Sequence, residues 1–201
     1  MTARTKKALA IDNVLKWLFV IGGLIGFIAS FVLTIDKIKI LQNPSFVPNC
    51  NINPILSCGS VMVTAQASLF GFANSLIGIA GFAGLVAIGM AMLAGAKFNR
   101  WFWLVVQAGA TLGILFVHWL IYESLYKIGT LCPYCMGVWV VTIPIFAYVT
   151  FFNIQQGYLP GLRKDNRVVA FVMRHHGDIV LVWFLLIGGL IMNRFWYYFG
   201  F

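Results

Sequence analysis

Charge is scarce in this chain: 9% of the 201 residues are Asp, Glu, Lys or Arg, and only five are acidic. Soluble domains carry about 25% charged residues, so an ordinary water-soluble fold is excluded. Also missing is any polar stretch long enough to build a second core, which argues against a fused soluble module and for one membrane domain over residues 1–201. No internal repeat or low-complexity segment interrupts the chain. A removable signal is lacking too, because the first apolar stretch runs past the roughly 7 to 15 residues of a signal core and reads as a retained span. Cysteine is limited to four residues, Cys50, Cys58, Cys132 and Cys135.

What is abundant is apolar: 61% of residues are hydrophobic and the mean hydropathy is +0.92, the signature of an all-α integral membrane protein. A crossing helix needs about 20 mainly apolar residues. Five stretches meet this, near residues 14–35, 70–94, 101–122, 132–152 and 179–199. The fourteen Lys and Arg residues cluster in short connections between them, which fits membrane topology better than a nucleic-acid partner. With the N-terminus inside, ten of them (Arg4, Lys6, Lys7, Lys16, Lys97, Arg100, Arg163, Lys164, Arg167 and Arg174) face the cytoplasm and four (Lys37, Lys39, Lys127 and Arg194) face out. The positive-inside rule selects this orientation. The loops 36–69 and 123–131 then both lie outside, and so do both cysteine pairs, on the oxidising side where disulfides persist.

Residues 55–70 are too short and too polar to cross, carrying Ser57, Ser60, Thr64, Gln66 and Ser68. They read as an interfacial half-helix with Ser57 as N-cap, Cys58 in its first turn, and Val61, Ala65 and Phe70 resting on the bundle. Gly22, Gly23 and Gly26 in the first span, with Gly78, Gly81, Gly84 and Gly89 in the second, give faces on which helix backbones can approach closely.

Cys132-Pro133-Tyr134-Cys135 opens the fourth span. The unpaired amides and dipole of a helix start favour a thiolate on Cys132, and Pro133 suits the first turn. A C-x-x-C at such a place can make and break a disulfide repeatedly, and a second pair, Cys50 and Cys58, suggests a relay of electrons. Structural crosslinks remain an alternative. So does a four-cysteine zinc site, although seven residues between Cys50 and Cys58 suit zinc ligand spacing poorly and the expectation is no metal.

Three segments, CNINPILSCGSVMVT (50–64), FGFANSLIG (70–78) and LCPYCMGVWV (131–140), resemble the vitamin K epoxide reductase family in order, spacing and membrane side, over about the first 150 residues. The likeness is greatest to its bacterial members. It implies a four-helix bundle around a quinone (menaquinone or ubiquinone), with the fifth helix peripheral and the protein in the bacterial cytoplasmic membrane. It also implies that Cys50 and Cys58 are the shuttle pair and Cys132 and Cys135 the active-site pair. Electrons would pass from a reduced thioredoxin-like (DsbA-like) exported protein through Cys50, Cys58, Cys132 and Cys135 to the quinone. The chain stops at Phe201, which leads us to expect that partner as a separate protein.

By the same resemblance Asn74 takes the position of an asparagine that hydrogen-bonds a quinone carbonyl, and helix packing or capping is its alternative. Trp139 falls where some relatives carry tyrosine; its indole N–H can donate to a ligand, and packing competes with that role. Thr64 stands where serine is frequent, and Ala73 where proline is expected. His118, inside the third span, reads as a neutral histidine bonded between helices, with a proton route through it or water as the functional alternative. His175 and His176 read as solvated cytoplasmic surface, and Trp196, Tyr197 and Tyr198 as interface anchors. The activity implied is a membrane thiol–disulfide oxidoreductase supporting disulfide formation in exported proteins. Its rivals are a vitamin K epoxide reductase proper and a non-catalytic scaffold with structural disulfides.

Overall fold

Apolar runs broken by Gly, Pro and Asn divide the chain into helices. A computed structural model describes residues 11–159 and 167–198. In order the helices are α1 (Ile11–Gln42), α2 (Cys58–Met62), α3 (Ser75–Leu93), α4 (Arg100–Ile128), α5 (Pro133–Gln156), α6 (Arg167–Arg174) and α7 (His176–Arg194). Among the described residues the one β-type pairing is an isolated parallel bridge between Leu56 and Leu131. Five helices, α1, α3, α4, α5 and α7, are long and apolar enough to cross a membrane, and the protein is an all-α, multi-pass membrane protein. Arg4, Lys6, Lys7, Arg163 and Lys164 lie outside the described residues.

The boundaries differ from the sequence expectation at several places, among them α4, which runs on through Glu123–Ile128 where a loop is expected, and α5, which reaches Gln156. Helix α1 continues through Asp36, Lys37 and Lys39 to Gln42, because long cationic side chains can lie along a helix end with their heads at the polar boundary. Helix α3 starts at Ser75 rather than near 70, since Gly71 turns the chain at φ +82° and the Asn74 side chain binds the preceding loop. Helix α7 covers His176–Arg194 and is followed by a 3₁₀ turn, Trp196–Tyr198; residue 199 lies outside the described residues.

Helices α1, α3, α4 and α5 surround a central cavity, and no residue of α7 lines it. This is a four-helix bundle with a peripheral fifth helix. Small residues let α1 and α3 meet closely: a Cβ on Gly26 would stand 2.5 Å from the Phe82 ring, and one on Gly23 2.8 Å from Val86. Gly81 and Gly84 behave differently from the packing role expected of them. A Cβ on either would meet nothing within 4 Å beyond its own helix, and both border the cavity, so their missing side chains leave space instead of closing a contact. Polar bonds add to the packing, with Thr34 Oγ1 donating to Ser75 Oγ at 2.7 Å and Asn153 Nδ2 to Gln107 Oε1 at 3.0 Å. Such bonds contribute about 0.6 kcal/mol each in a membrane bundle.

His118 joins α4 to α7. The Trp183 indole N–H donates to its Nε2 at 2.9 Å, which leaves the proton on Nδ1 for the Ile114 carbonyl, also at 2.9 Å. Both ring nitrogens are engaged, Nε2 across to α7 and Nδ1 within α4, and His118 does not line the cavity. His175 faces Asp178 at 2.9 Å. His176 is less solvated than expected, because its Nδ1 lies 3.2 Å from the Tyr148 hydroxyl and so ties α7 to α5.

Candidate active site

The loop ahead of α2 is organised by asparagines. Asn53 Oδ1 accepts from the amides of Ile55 and Leu56 at 3.0 and 2.7 Å, turning the chain around Pro54. Asn51 Oδ1 accepts from the Gly59 amide at 2.9 Å, which brings the two ends of the loop together. Cys50 and Cys58 are joined in a disulfide, their Cα atoms 5.6 Å apart. Ser57 is the N-cap of α2, its Oγ accepting from the Ser60 amide at 3.2 Å, so Cys58 occupies the first helical position.

The half-helix is shorter than expected. After Met62 the chain extends at Thr64 and resumes as a 3₁₀ turn, Ala65–Ser68. Asn74 fixes this break: its Nδ2 donates to the Gln66 carbonyl at 2.6 Å while its Oδ1 accepts from the Leu69 amide at 3.1 Å. Val61 is buried against the cysteines as expected, whereas Ala65 and Phe70 are exposed. Phe70 nonetheless reaches the bundle as expected, its ring 6.2 Å from that of Phe116 on α4 and from that of Phe72.

The second cysteine pair arrives by way of the end of α4. Its last six residues, Glu123–Ile128, form a π-helical turn, and Gly129 then adopts a left-handed conformation at φ +72°. Leu131 follows and pairs with the first loop. Its amide donates to the Ile55 carbonyl at 2.7 Å, and its carbonyl accepts from the Ser57 amide at 2.9 Å. This bridge fixes the register of the two cysteine segments, because Cys58 follows Ser57 and Cys132 follows Leu131. Cys50, Cys58 and Cys132 accordingly lie in one apolar cluster with Leu33, Val61 and Met62, and Cys135 packs against it.

Cys132 is the N-cap of α5. Its sulfur accepts from the Cys135 amide at 3.4 Å, in the role a serine oxygen plays at other helix starts, and Pro133 needs no hydrogen-bond partner for a backbone N–H. The bond from the Cys135 thiol, reinforced by the amides of Cys135 and Tyr134, holds Cys132 below the ordinary thiol value against the opposing effect of burial. Cys132 and Cys135 are free thiols. Cys50 retains 6% exposure and Cys58 none, so of the disulfide's two sulfurs Cys50 belongs to the more open residue.

Behind the cysteines lies the cavity, about 960 Å³, within the range of small-molecule sites and predominantly apolar. Cys135, Asn74, Trp139 and Thr64, all singled out by sequence, are on its wall, together with Ala73. The Thr64 hydroxyl is directed to the Val61 carbonyl at 2.7 Å and not to a cysteine. Trp139 is buried in the cluster of Leu125, Leu131 and Phe195, which closes this end of the bundle. Arg194 secures that closure through its Nε, which donates to the Leu125 carbonyl at 2.8 Å.

The polar residues at the cavity that sequence does not mark as site residues include Lys37, Gln66 and Glu123. Glu123 carried a usable signal, as one of five acidic residues and at the end of an apolar run. Among the described residues no three His, Cys, Asp or Glu side chains are grouped as metal ligands.

The arrangement can exchange disulfides between two adjacent pairs and present one thiol to a large apolar chamber. No curated protein matches the chain. The model of the vitamin K epoxide reductase family matches residues 17–150, which contain all four cysteines, the bridge that aligns them and all the described residues lining the cavity. On that match over two thirds of its length, the chain belongs to the vitamin K epoxide reductase family, whose members are membrane oxidoreductases.

Proposed function

We propose that the protein reoxidises a thioredoxin-like (DsbA-like) exported protein and reduces a membrane quinone, menaquinone or ubiquinone, thereby supporting disulfide formation in exported proteins. The observation that carries this reading is the packing of all four cysteines in one cluster, with Cys135 also on the wall of the 960 Å³ cavity. The cavity fits a quinone head by volume and by its apolar wall, and Gly81 and Gly84 leave the wall open where side chains would fill it. When bound, the quinone supplies a two-electron, two-proton oxidant. Asn74 retains one amide N–H beyond its bond to Gln66 and can offer it to a carbonyl oxygen, and the Trp139 indole N–H can do the same.

The relay is a series of thiol–disulfide exchanges. A partner thiolate attacks Cys50, forming a mixed disulfide and releasing Cys58 as a thiolate. The partner's second thiol resolves that bond, so the partner leaves oxidised and Cys50 and Cys58 are reduced. Cys58 then attacks Cys132 in the Cys132–Cys135 disulfide and releases Cys135. Cys50 attacks Cys58, re-forming the Cys50–Cys58 bond and releasing Cys132. The low proton affinity of Cys132 favours this last step, because an acidic thiol leaves faster. The result is the arrangement found here, a Cys50–Cys58 disulfide beside two free thiols. Cys132 and Cys135 complete the cycle by forming their own disulfide as two electrons pass to the quinone.

The expected result is that the purified protein in detergent reduces a soluble quinone analogue when given a reduced thioredoxin-like protein. A scaffold with structural crosslinks would leave the quinone oxidised.

The sidedness rests on the charge asymmetry, with the N-terminus cytoplasmic and both cysteine pairs extracytoplasmic, in a bacterial inner membrane. Lys97 and Lys127 are both exposed and lie at opposite ends of α4. In intact cells, a cysteine replacing Lys127 should react with an impermeant thiol reagent and one replacing Lys97 should not. The reverse pattern would invert the orientation.

A further inference from the structure

Reducing a quinone consumes two protons, and the relay leaves the second proton without a source. Three ionisable side chains border the cavity among the described residues: Lys37, Glu123 and Cys135. Lys37 donates through its Nζ to the Met62 carbonyl, at the end of α2. Glu123 is the sole carboxyl group on that described wall and is 9% exposed. It opens the π-helical turn at the end of α4, and such turns are frequent at functional sites. Its Oε2 accepts from Gln66 Nε2 at 3.1 Å. Gln66 is itself fixed, since its carbonyl accepts from Asn74 Nδ2 at 2.6 Å. A hydrogen-bonded chain thus runs from Asn74 through Gln66 to Glu123, all three on the cavity wall with Cys135. Among the described residues no ion pair includes Glu123.

We propose that Glu123, positioned by Gln66, is the general acid that delivers one of the two protons consumed when a quinone is reduced in this cavity. The inference rests on the quinone reading above. In the step, Cys132 enters as thiolate and Cys135 as thiol; the S–S bond forms between them and two electrons leave the pair. The S–H bond of Cys135 and the O–H bond of Glu123 break, and both protons finish on the two quinone oxygens, giving hydroquinone. Total charge is unchanged, because the negative charge moves from Cys132 to the Glu123 carboxylate. Glu123 recovers its proton from water at the cysteine-bearing end of the bundle, where α4 ends. General acid catalysis of this kind is worth about 10²- to 10⁴-fold in rate.

The test compares wild type with Glu123→Gln, which preserves size and can still hydrogen-bond Gln66 but cannot give up a proton, and with Glu123→Asp, which can. In single-turnover mixing of the dithiol enzyme with a soluble quinone analogue, E123Q should be slower by about 100-fold, with E123D recovering part of the loss. Analogue binding to the oxidised enzyme, read by tryptophan quenching, should be unchanged in E123Q. Infrared difference spectra of wild type should show loss of a protonated carboxyl band as Cys132 and Cys135 become oxidised, and E123Q should lack that band. Wild-type rate in E123Q, an equal loss in E123D, or a rate lost through weaker analogue binding would each overturn the assignment. So would a full rate in E123Q together with a large loss in Lys37→Met. Failure of the wild type itself to reduce the analogue would instead remove the quinone reading.

Discussion

Cys135→Ala is expected to abolish quinone reduction whether electrons come from a thioredoxin-like protein or from a small dithiol. The loss should be on the order of 10³-fold or more, as when a reacting nucleophile is deleted from an enzyme. Position explains the severity. Cys135 belongs to the cysteine cluster and to the cavity wall at once, and no other cysteine lines that wall. Removing its sulfur separates the relay from the oxidant, and it also removes the thiol that bonds to Cys132. The check is quinone absorbance during turnover with each electron donor. Substantial small-dithiol activity in this variant would mean that electrons leave the protein elsewhere.

Cys50→Ala should separate those two donors. Turnover driven by the thioredoxin-like protein should fall by a comparable factor, because the partner has lost the more open sulfur of the shuttle pair. A small dithiol that reaches the Cys132–Cys135 disulfide directly should still support quinone reduction at a substantial rate. The physical basis is that thiol–disulfide exchange requires in-line access to the sulfur under attack, and a folded partner has fewer approaches than a small molecule. Cys58→Ser offers a companion measurement with the oxidised partner: the Cys50 thiolate attacks the partner's disulfide and releases one partner thiol, and with no Cys58 to displace the partner a mixed disulfide with Cys50 should be trapped. Equal loss with both donors in Cys50→Ala would contradict the order of the relay.

Much of this was legible in the chain. The five apolar runs are long enough to be unambiguous, and the C-x-x-C ahead of the fourth marks a helix start by its own chemistry. Ser57 reads as an N-cap because the residue type and the following turn agree. Local patterns could not supply the pairing of Leu56 with Leu131, a contact between segments 75 residues apart in sequence that sets the cysteine register. Nor could they show that Asn74 binds the loop ahead of α3, since an asparagine there suits a ligand, a cap or a loop staple equally well. Glu123 lies on the face that the helical period picks out, in line with Gly113, Val117 and Leu120, but a lone acidic residue at the end of an apolar run suits an interfacial charge equally well, so its place on a cavity wall is not legible in the sequence. Gly81 and Gly84 read like the packing glycines because sequence cannot separate a small residue that admits a helix from one that admits a ligand.

The central claim is a directed path from Cys50 through Cys58, Cys132 and Cys135 to a quinone. Its most direct test is to map the oxidation state of all four cysteines in the same detergent assay, by alkylation and mass spectrometry, with reduced thioredoxin-like protein present and quinone either absent or added. Without quinone the account predicts that both pairs become reduced. On adding quinone, the Cys132–Cys135 disulfide should form first and the Cys50–Cys58 disulfide should follow. Four cysteines whose states ignore quinone, or a Cys50–Cys58 pair that oxidises before Cys132 and Cys135, would contradict it.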